Sequence, residues 1–279
     1  MSYKSITTIL TDLGADKVAL DGACTITRQF GGHLDALCLG VDRTQPGFYY
    51  AGANAMAVQS NIAIAEEGAK KLEKEVDSYL QGSDFTWATN ALAAQSAGLA
   101  QFLAYHTRFS DLAVFAKPYG EDRGHEHEAI VESALFDAQI PVVVIPETGG
   151  FPTDVGKVVV AWNESRESLR AIRAALPILI AAEQVNIAII DPPAHAPSRS
   201  DPGGALSQML ARHGARAEVS VLARTMPRVS DVIARHVADM DADLLVMGAY
   251  GHSRFRESIL GGATRNLLQT TEVPLLMAH

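Results

Sequence analysis

Glycines and cationic side chains concentrate near the end of the sequence, in VMGAYGHSRFRESILGGATRN from Val246 to Asn266. Gly248 and Gly251 directly follow an apolar run, and Gly261 and Gly262 precede a helical stretch that begins around Ala263. Glycine lets backbone approach a ligand closely and turn its amide hydrogens inward. A helix beginning at this point adds the partial positive charge of its N-terminus, a seat for phosphate or another small anion. His252, Arg254, Arg256 and Arg265 stand nearby against one acid, Glu257. The chemistry on offer is anion binding; the competing reading is that the glycines only shape a tight turn.

The first half carries a different set at the corresponding place, AKPYGEDRGHEHEA over 116–129. Glu121, Asp122, Glu126 and Glu128 crowd it with negative charge. Two like charges about 4 Å apart at an effective dielectric of 20 repel by ~4 kcal/mol, so a polyphosphate is excluded there. His125 and His127 beside these carboxylates are the weak metal candidates of the chain, since imidazole and carboxylate suit zinc. The spacing is not that of a zinc motif, and acids are also favoured in the first turn of a helix. No metal site is therefore assigned. The chain has no GxxxxGK[ST] loop, no GxSxG elbow and no CxxC, so no catalytic residue is assigned either. Cys24 and Cys38 sit in apolar stretches and read as buried core thiols.

These segments are positioned by a repeat. Each half opens with a β-rich run, Ser5 to Asp12 and Lys157 to Asn163, and continues through a helical stretch to a second run, Leu34 to Asp42 and Val185 to Asp191. DLAVFAKPYG at 111–120 parallels DLLVMGAYG at 243–251, and each half closes on proline and a short apolar run, Pro141 to Pro146 and Pro274 to His279. The offsets are 151 residues from Asp12 to Asn163, 149 from Asp42 to Asp191 and 133 from Pro141 to Pro274. About sixteen extra residues therefore lie in the first half, most naturally within 43–82. Linker chemistry around 148–152 places two domains at 1–148 and 153–279.

Val158–Ala161, Leu244–Met247 and Val142–Ile145 are continuous apolar runs, as strands buried on both faces of a parallel sheet require. Val232, Ile233, His236, Val237 and Met240 recur at helical spacing with Ser230 as a cap, and Leu99, Phe102, Leu103 and His106 do the same. His236 reads as a core-edge histidine, Ser165 as the cap of the first helix of the second half, and Lys70 to Glu75 as a solvated face. The fold class is α/β: two doubly wound domains, each with a five-stranded parallel sheet flanked by helices. Ligands of such folds sit beyond the carboxyl ends of the strands.

Composition agrees: 279 residues, 48% hydrophobic and 20% charged, place the chain among globular proteins of about two domains. The longest apolar run, Ala174 to Ala182, is too short to span a membrane. The net charge of −9 argues against nucleic acid as a partner. All of that excess falls in residues 1–150, with 19 acids and 10 bases; residues 151–279 carry 13 of each. The opening Met1-Ser2-Tyr3-Lys4 lacks the layout of a secretory signal, so a cytoplasmic location is expected.

The Gly-x-x-Gly, nine residues, then Gly and a small residue, from Gly248 through Gly251 to Gly261-Gly262, resembles the nucleotide-binding signature of the universal stress protein family. Because the repeat covers both halves, the chain resembles a tandem member. The resemblance implies ATP in some members and none in others. It implies that Asn163, standing where ATP-binding members have Asp, contacts the adenosine part, with backbone at Ile189 and Ile190 near the adenine. Gly248, Gly251, His252, Gly261, Gly262 and Ala263 would hold the phosphates. Gly262 lacks the hydroxyl usual there, Asn163 lacks the charge, and Trp162 is bulky enough to fill part of the base pocket; each weakens ATP binding. The first half keeps the Asp, as Asp12, but not the loop.

The expected function is a tandem, stress-response regulatory module that holds ATP or a related nucleotide in its C-terminal domain only, and is not a dedicated enzyme, with slow nucleotide hydrolysis left open. The alternatives are a non-nucleotide-binding interaction or scaffold protein, and a small-ligand binder through an N-terminal cavity covered by the extra segment 43–82, in which Pro46 to Tyr50 lead into a helix. The resemblance also implies pairing through the last strands, here between the two halves of one chain, with a homodimer compatible beyond that.

Overall fold

The computed structural model describes residues 2–42, 54–120, 123–192, 201–249 and 262–279. They form two compact units divided between Ile140 and Pro141, a few residues before the linker-like stretch in the sequence.

The first unit runs β1 (Ser5–Leu10), α1 (Leu13–Phe30), β2 (His33–Asp42), α2 (Asn54–Leu80), β3 (Thr86–Gln95), α3 (Leu99–Thr107), β4 (Leu112–Ala116) and α4 (His125–Glu132), the last extended by a π-helical turn, Ser133–Asp137. Its strands lie in the order β3-β2-β1-β4, all parallel. The second unit runs β5 (Val142–Ile145), β6 (Lys157–Ala161), α5 (Arg166–Ala181), β7 (Gln184–Ile190), α6 (Gly204–Arg212), β8 (Ala217–Leu222), α7 (Val229–Asp239), β9 (Leu244–Gly248), α8 (Gly262–Thr270) and β10 (Leu275–Ala278). Its order is β5-β10-β9-β6-β7-β8.

The α/β class and the mostly parallel strands flanked by helices are as expected, but five parallel strands per domain is corrected. The fifth strand of the first half, β5, lies in the second unit and pairs antiparallel with β10, with Val143 opposite Leu276. VVVI and LLMA are each buried at all four positions. An apolar last strand left unpaired exposes a row of backbone donors and acceptors, and pairing the two with each other removes both edges.

Periodicity explains the helices. α5 buries Ser168, Ala171, Ile172, Ala175, Leu176 and Leu179, one stripe at helical spacing, and it runs through Pro177. α2 is the extra segment of the first half, 27 residues where α6 has 9. Its Ala65, Ala69, Leu72, Val76 and Leu80 are buried. The backbone of β2 and α2 touch so closely that a Cβ on Gly40 would lie 2.0 Å from the Ala65 carbonyl oxygen. The 70–75 face is not wholly solvated as expected: Glu73 Oε1 accepts from the Ala91 N–H at 3.0 Å, occupying a donor of strand β3. Among the described residues no helix is long and apolar enough to cross a membrane. Cys24 and Cys38 are free and buried. Burial pushes their thiols up to about 11 and about 12, with nearby carboxylates adding to the shift.

Candidate functional site

In the second unit the strand order reverses between β6 and β9, and beyond their carboxyl ends lies a cavity of about 120 Å³. β6 and the residues after it contribute Ala161, Trp162 and Asn163; β7 contributes Ala188 and Ile190; β9 contributes Met247 and Gly248. Val229 and Ile233 of α7 and Ala263 of α8 complete the lining. Among the described residues that line the cavity, none has an ionisable side chain. It is small against the roughly 300–1,000 Å³ of ordinary ligand pockets.

Four residues singled out in the sequence, Asn163, Ile190, Gly248 and Ala263, thus meet around one space. The side chain of Ile189, whose backbone was the expected contact, is buried on the opposite face of β7, its Cδ1 within 2.7 Å of where a Cβ on Gly203 would lie, as strand alternation demands. Gly262 is the first residue of α8, exposed, with none of the described residues within 4 Å of where its Cβ would be. Gly251, His252 and Gly261 lie outside the described residues, as do Arg254 and Arg256. Sequence reasoning passed over Val229, Ile233 and Met247 as site residues because each also fits the core pattern of its helix or strand.

Local hydrogen bonds fix this corner. Trp162 N–H donates to the Ala188 carbonyl at 3.0 Å, extending the β6–β7 ladder by one residue. Asn163 Oδ1 accepts from Ser165 N–H at 3.2 Å, and Ser165 caps α5 by accepting from Ser168 N–H at 3.1 Å. Gly248 is needed where β9 meets this first turn of α5: a Cβ there would stand 2.4 Å from Ser168 N and 2.7 Å from the Glu167 carbonyl carbon. Ser230 is not the cap of α7. The cap position is Arg228, whose side chain makes no capping bond, and Ser230 Oγ instead accepts from Asn266 Nδ2 of α8 at 3.4 Å. On the other side of α7, His236 Nε2 donates to Oδ1 of buried Asn186 at 2.8 Å, and Asn186 Nδ2 donates to Ser220 Oγ at 2.9 Å. Burial holds the His236 imidazole below its usual pKa, opposed by the Asp239 carboxylate.

The corresponding corner of the first unit is arranged differently. Asp12, the retained carboxylate, caps α1 by accepting from Ala15 N–H at 2.9 Å. His127 is buried with both ring nitrogens engaged: Nδ1 accepts from Gly124 N–H at 3.0 Å and Nε2 lies 3.0 Å from Thr11 Oγ1. His125 is exposed. Among the described residues no three His, Cys, Asp or Glu side chains converge as metal ligands. Glu121 and Asp122 of the acidic cluster, and Pro46 to Tyr50, lie outside the described residues.

Residues 155–279 match the sequence model of the universal stress protein family. A curated universal stress protein of Synechocystis is 36% identical over 73 residues, covering 26% of this chain and 24% of that protein, so the match spans about a quarter of the relative's length. A solved universal stress protein from Archaeoglobus fulgidus is similar over 98% of this chain and 95% of its own, at 13% identity and a TM-score of 0.75. A putative universal stress protein from Pseudomonas aeruginosa is similar over 98% and 92%, at 16% identity and a TM-score of 0.59. At such identities the structures speak for fold alone. The second half of the chain, residues 155–279, thus carries a universal stress protein domain, and the likeness of fold to solved universal stress proteins extends across the first.

Proposed function

We propose that this tandem protein is a regulatory module that binds ATP or a related nucleotide in its second unit, with the base in the apolar cavity and the phosphates at the start of α8. The observation that carries the reading is the meeting of Asn163, Ile190, Gly248 and Ala263 at the carboxyl ends of β6, β7 and β9, where open α/β sheets take their ligands. The fit is partial. Uncharged walls suit a base, and the N-terminus of α8 suits phosphate, while the Asn163 carbonyl oxygen already serves Ser165. Among the described residues the cavity lining holds no acid, base or nucleophile. Because β5 and β10 already pair with each other, a homodimer would use another surface.

The test is calorimetric titration of nucleotide-stripped protein with MgATP, beside an Ala263→Asp variant. An acid in the first turn is favoured by the helix itself, so the variant keeps its fold while its carboxylate opposes phosphate. One site per chain, lost in the variant, supports the reading; no heat at millimolar ATP at either of two temperatures overturns it. A second reading, an interaction module without nucleotide, is favoured by Trp162 and the small cavity, and the second outcome selects it.

A further inference from the structure

The first unit holds a buried charge pair that neither the anion-binding chemistry nor the acidic cluster anticipated. Asp16, in the first turn of α1, is 3% exposed, and its Oδ2 accepts from Thr11 N–H at 2.7 Å, Asp12 N–H at 3.3 Å and Thr11 Oγ1 at 3.1 Å. Its Oδ1 receives Nη1 of Arg123, whose Nη2 donates to the Ala15 carbonyl at 2.6 Å. The Arg123 side chain is 8% exposed. His127 Nε2 lies 3.0 Å from Thr11 Oγ1, which donates to Asp16 Oδ2, and its Nδ1 is held by the Gly124 main chain, 3.0 Å from the N–H and 3.2 Å from the carbonyl oxygen. Arg123 belongs to the loop between β4 and α4, the counterpart of the loop that follows β9. It reaches back past the end of β1 to the start of α1, beside the switch between β1 and β4, the place where a doubly wound sheet takes its ligand.

We propose that this strand-end corner is a guanidinium-binding site filled by the chain's own Arg123, so that the first unit takes no nucleotide or other anion. A carboxylate and a carbonyl oxygen recognise the planar cation through two of its nitrogens. A phosphate entering here would have to displace the guanidinium and then face the buried Asp16 carboxylate at short range. The proposal rests on first-unit geometry and stands or falls independently of nucleotide binding in the second.

The test is Arg123→Gly in the full-length chain, with guanidinium chloride as probe. Removing one partner of a buried pair strands the other, so the melting temperature falls by on the order of 10 °C. Low-millimolar guanidinium chloride then recovers part of that loss, equal sodium chloride recovers none, and an Arg123→Gly, Asp16→Asn double variant does not respond. Unchanged stability, or a loss that guanidinium does not reverse, overturns the proposal. Should Arg123→Gly fail to fold, nitrogen-15 spectra of the wild type decide. Guanidinium protons of Arg123 protected from exchange support it; a freely exchanging Arg123 overturns it.

Discussion

Replacing Gly248 with alanine puts a methyl carbon 2.4 Å from the backbone nitrogen of Ser168 and 2.7 Å from the carbonyl carbon of Glu167. Real Cβ atoms do not approach so closely, and both obstacles are main chain, so no side-chain rotation relieves the clash. β9 and α5 must separate, and β9 is held on both sides by β6 and β10. Overpacking of this kind costs about 1–3 kcal/mol. For a unit of this size that is a fall in melting temperature of roughly 2–12 °C. Gly262→Ala is the internal control, because none of the described residues lies within 4 Å of its Cβ position and it starts a helix; it changes stability by less than about 1 kcal/mol. Scanning calorimetry of the two variants without nucleotide reads both values. Should Gly248→Ala melt with the wild type, the close approach of β9 to α5 is wrong, and the glycine would serve the ligand alone.

Other consequences follow from burial and titration. At pH 7.5 iodoacetamide modifies neither cysteine in the folded chain and both in urea, since burial raises Cys24 to about 11 and Cys38 to about 12 and only the thiolate reacts; native modification detected by mass spectrometry would contradict this. His236 is held below its unfolded pKa of about 6.5, so the unfolded state binds the proton more readily. Its contribution to stability is complete above pH 6.5 and is lost as pH falls through the lower folded value. Melting temperatures between pH 7.5 and 5 therefore decline more steeply in the wild type than in His236→Gln. Asn186→Ala removes the hydrogen bonds of a buried amide to the half-buried His236 Nε2 and Ser220 Oγ and lowers urea stability by about 0.5–1.5 kcal/mol.

The strands were legible because burial on both faces leaves continuous apolar runs, and β6, β7 and β9 fall within a residue or two of the runs that announced them. The offset between halves located the length difference that α2 and α6 display. That β5 would join β10 was implied by the family resemblance, which pairs the last strands of the two halves; the residues alone did not show it, because VVVI and LLMA are alike as short buried strands and pairing partners are a tertiary choice. Ser230 misled because serine at the second helical position resembles a cap, while Arg228 at the true boundary gives no sign. The cavity was half legible: glycine and strand-end positions marked Gly248, Asn163 and Ile190, but Val229 and Ile233 carry the same pattern as any core residue. Arg123 and Asp16 were invisible as a pair, being 107 positions apart with no local signal linking them. The acidic cluster drew notice to that corner, but the carboxylate that holds Arg123 is Asp16 on another element.

The central claim, nucleotide in the cavity of the second unit, is tested most directly by photo-crosslinking with an azido-adenine analogue of ATP, followed by peptide mapping. Label confined to peptides holding Trp162, Ile190 or Val229 to Met247, and abolished by excess ATP, is the predicted result. Label within Tyr3–Ile140, or labelling that ATP does not compete away, would contradict it.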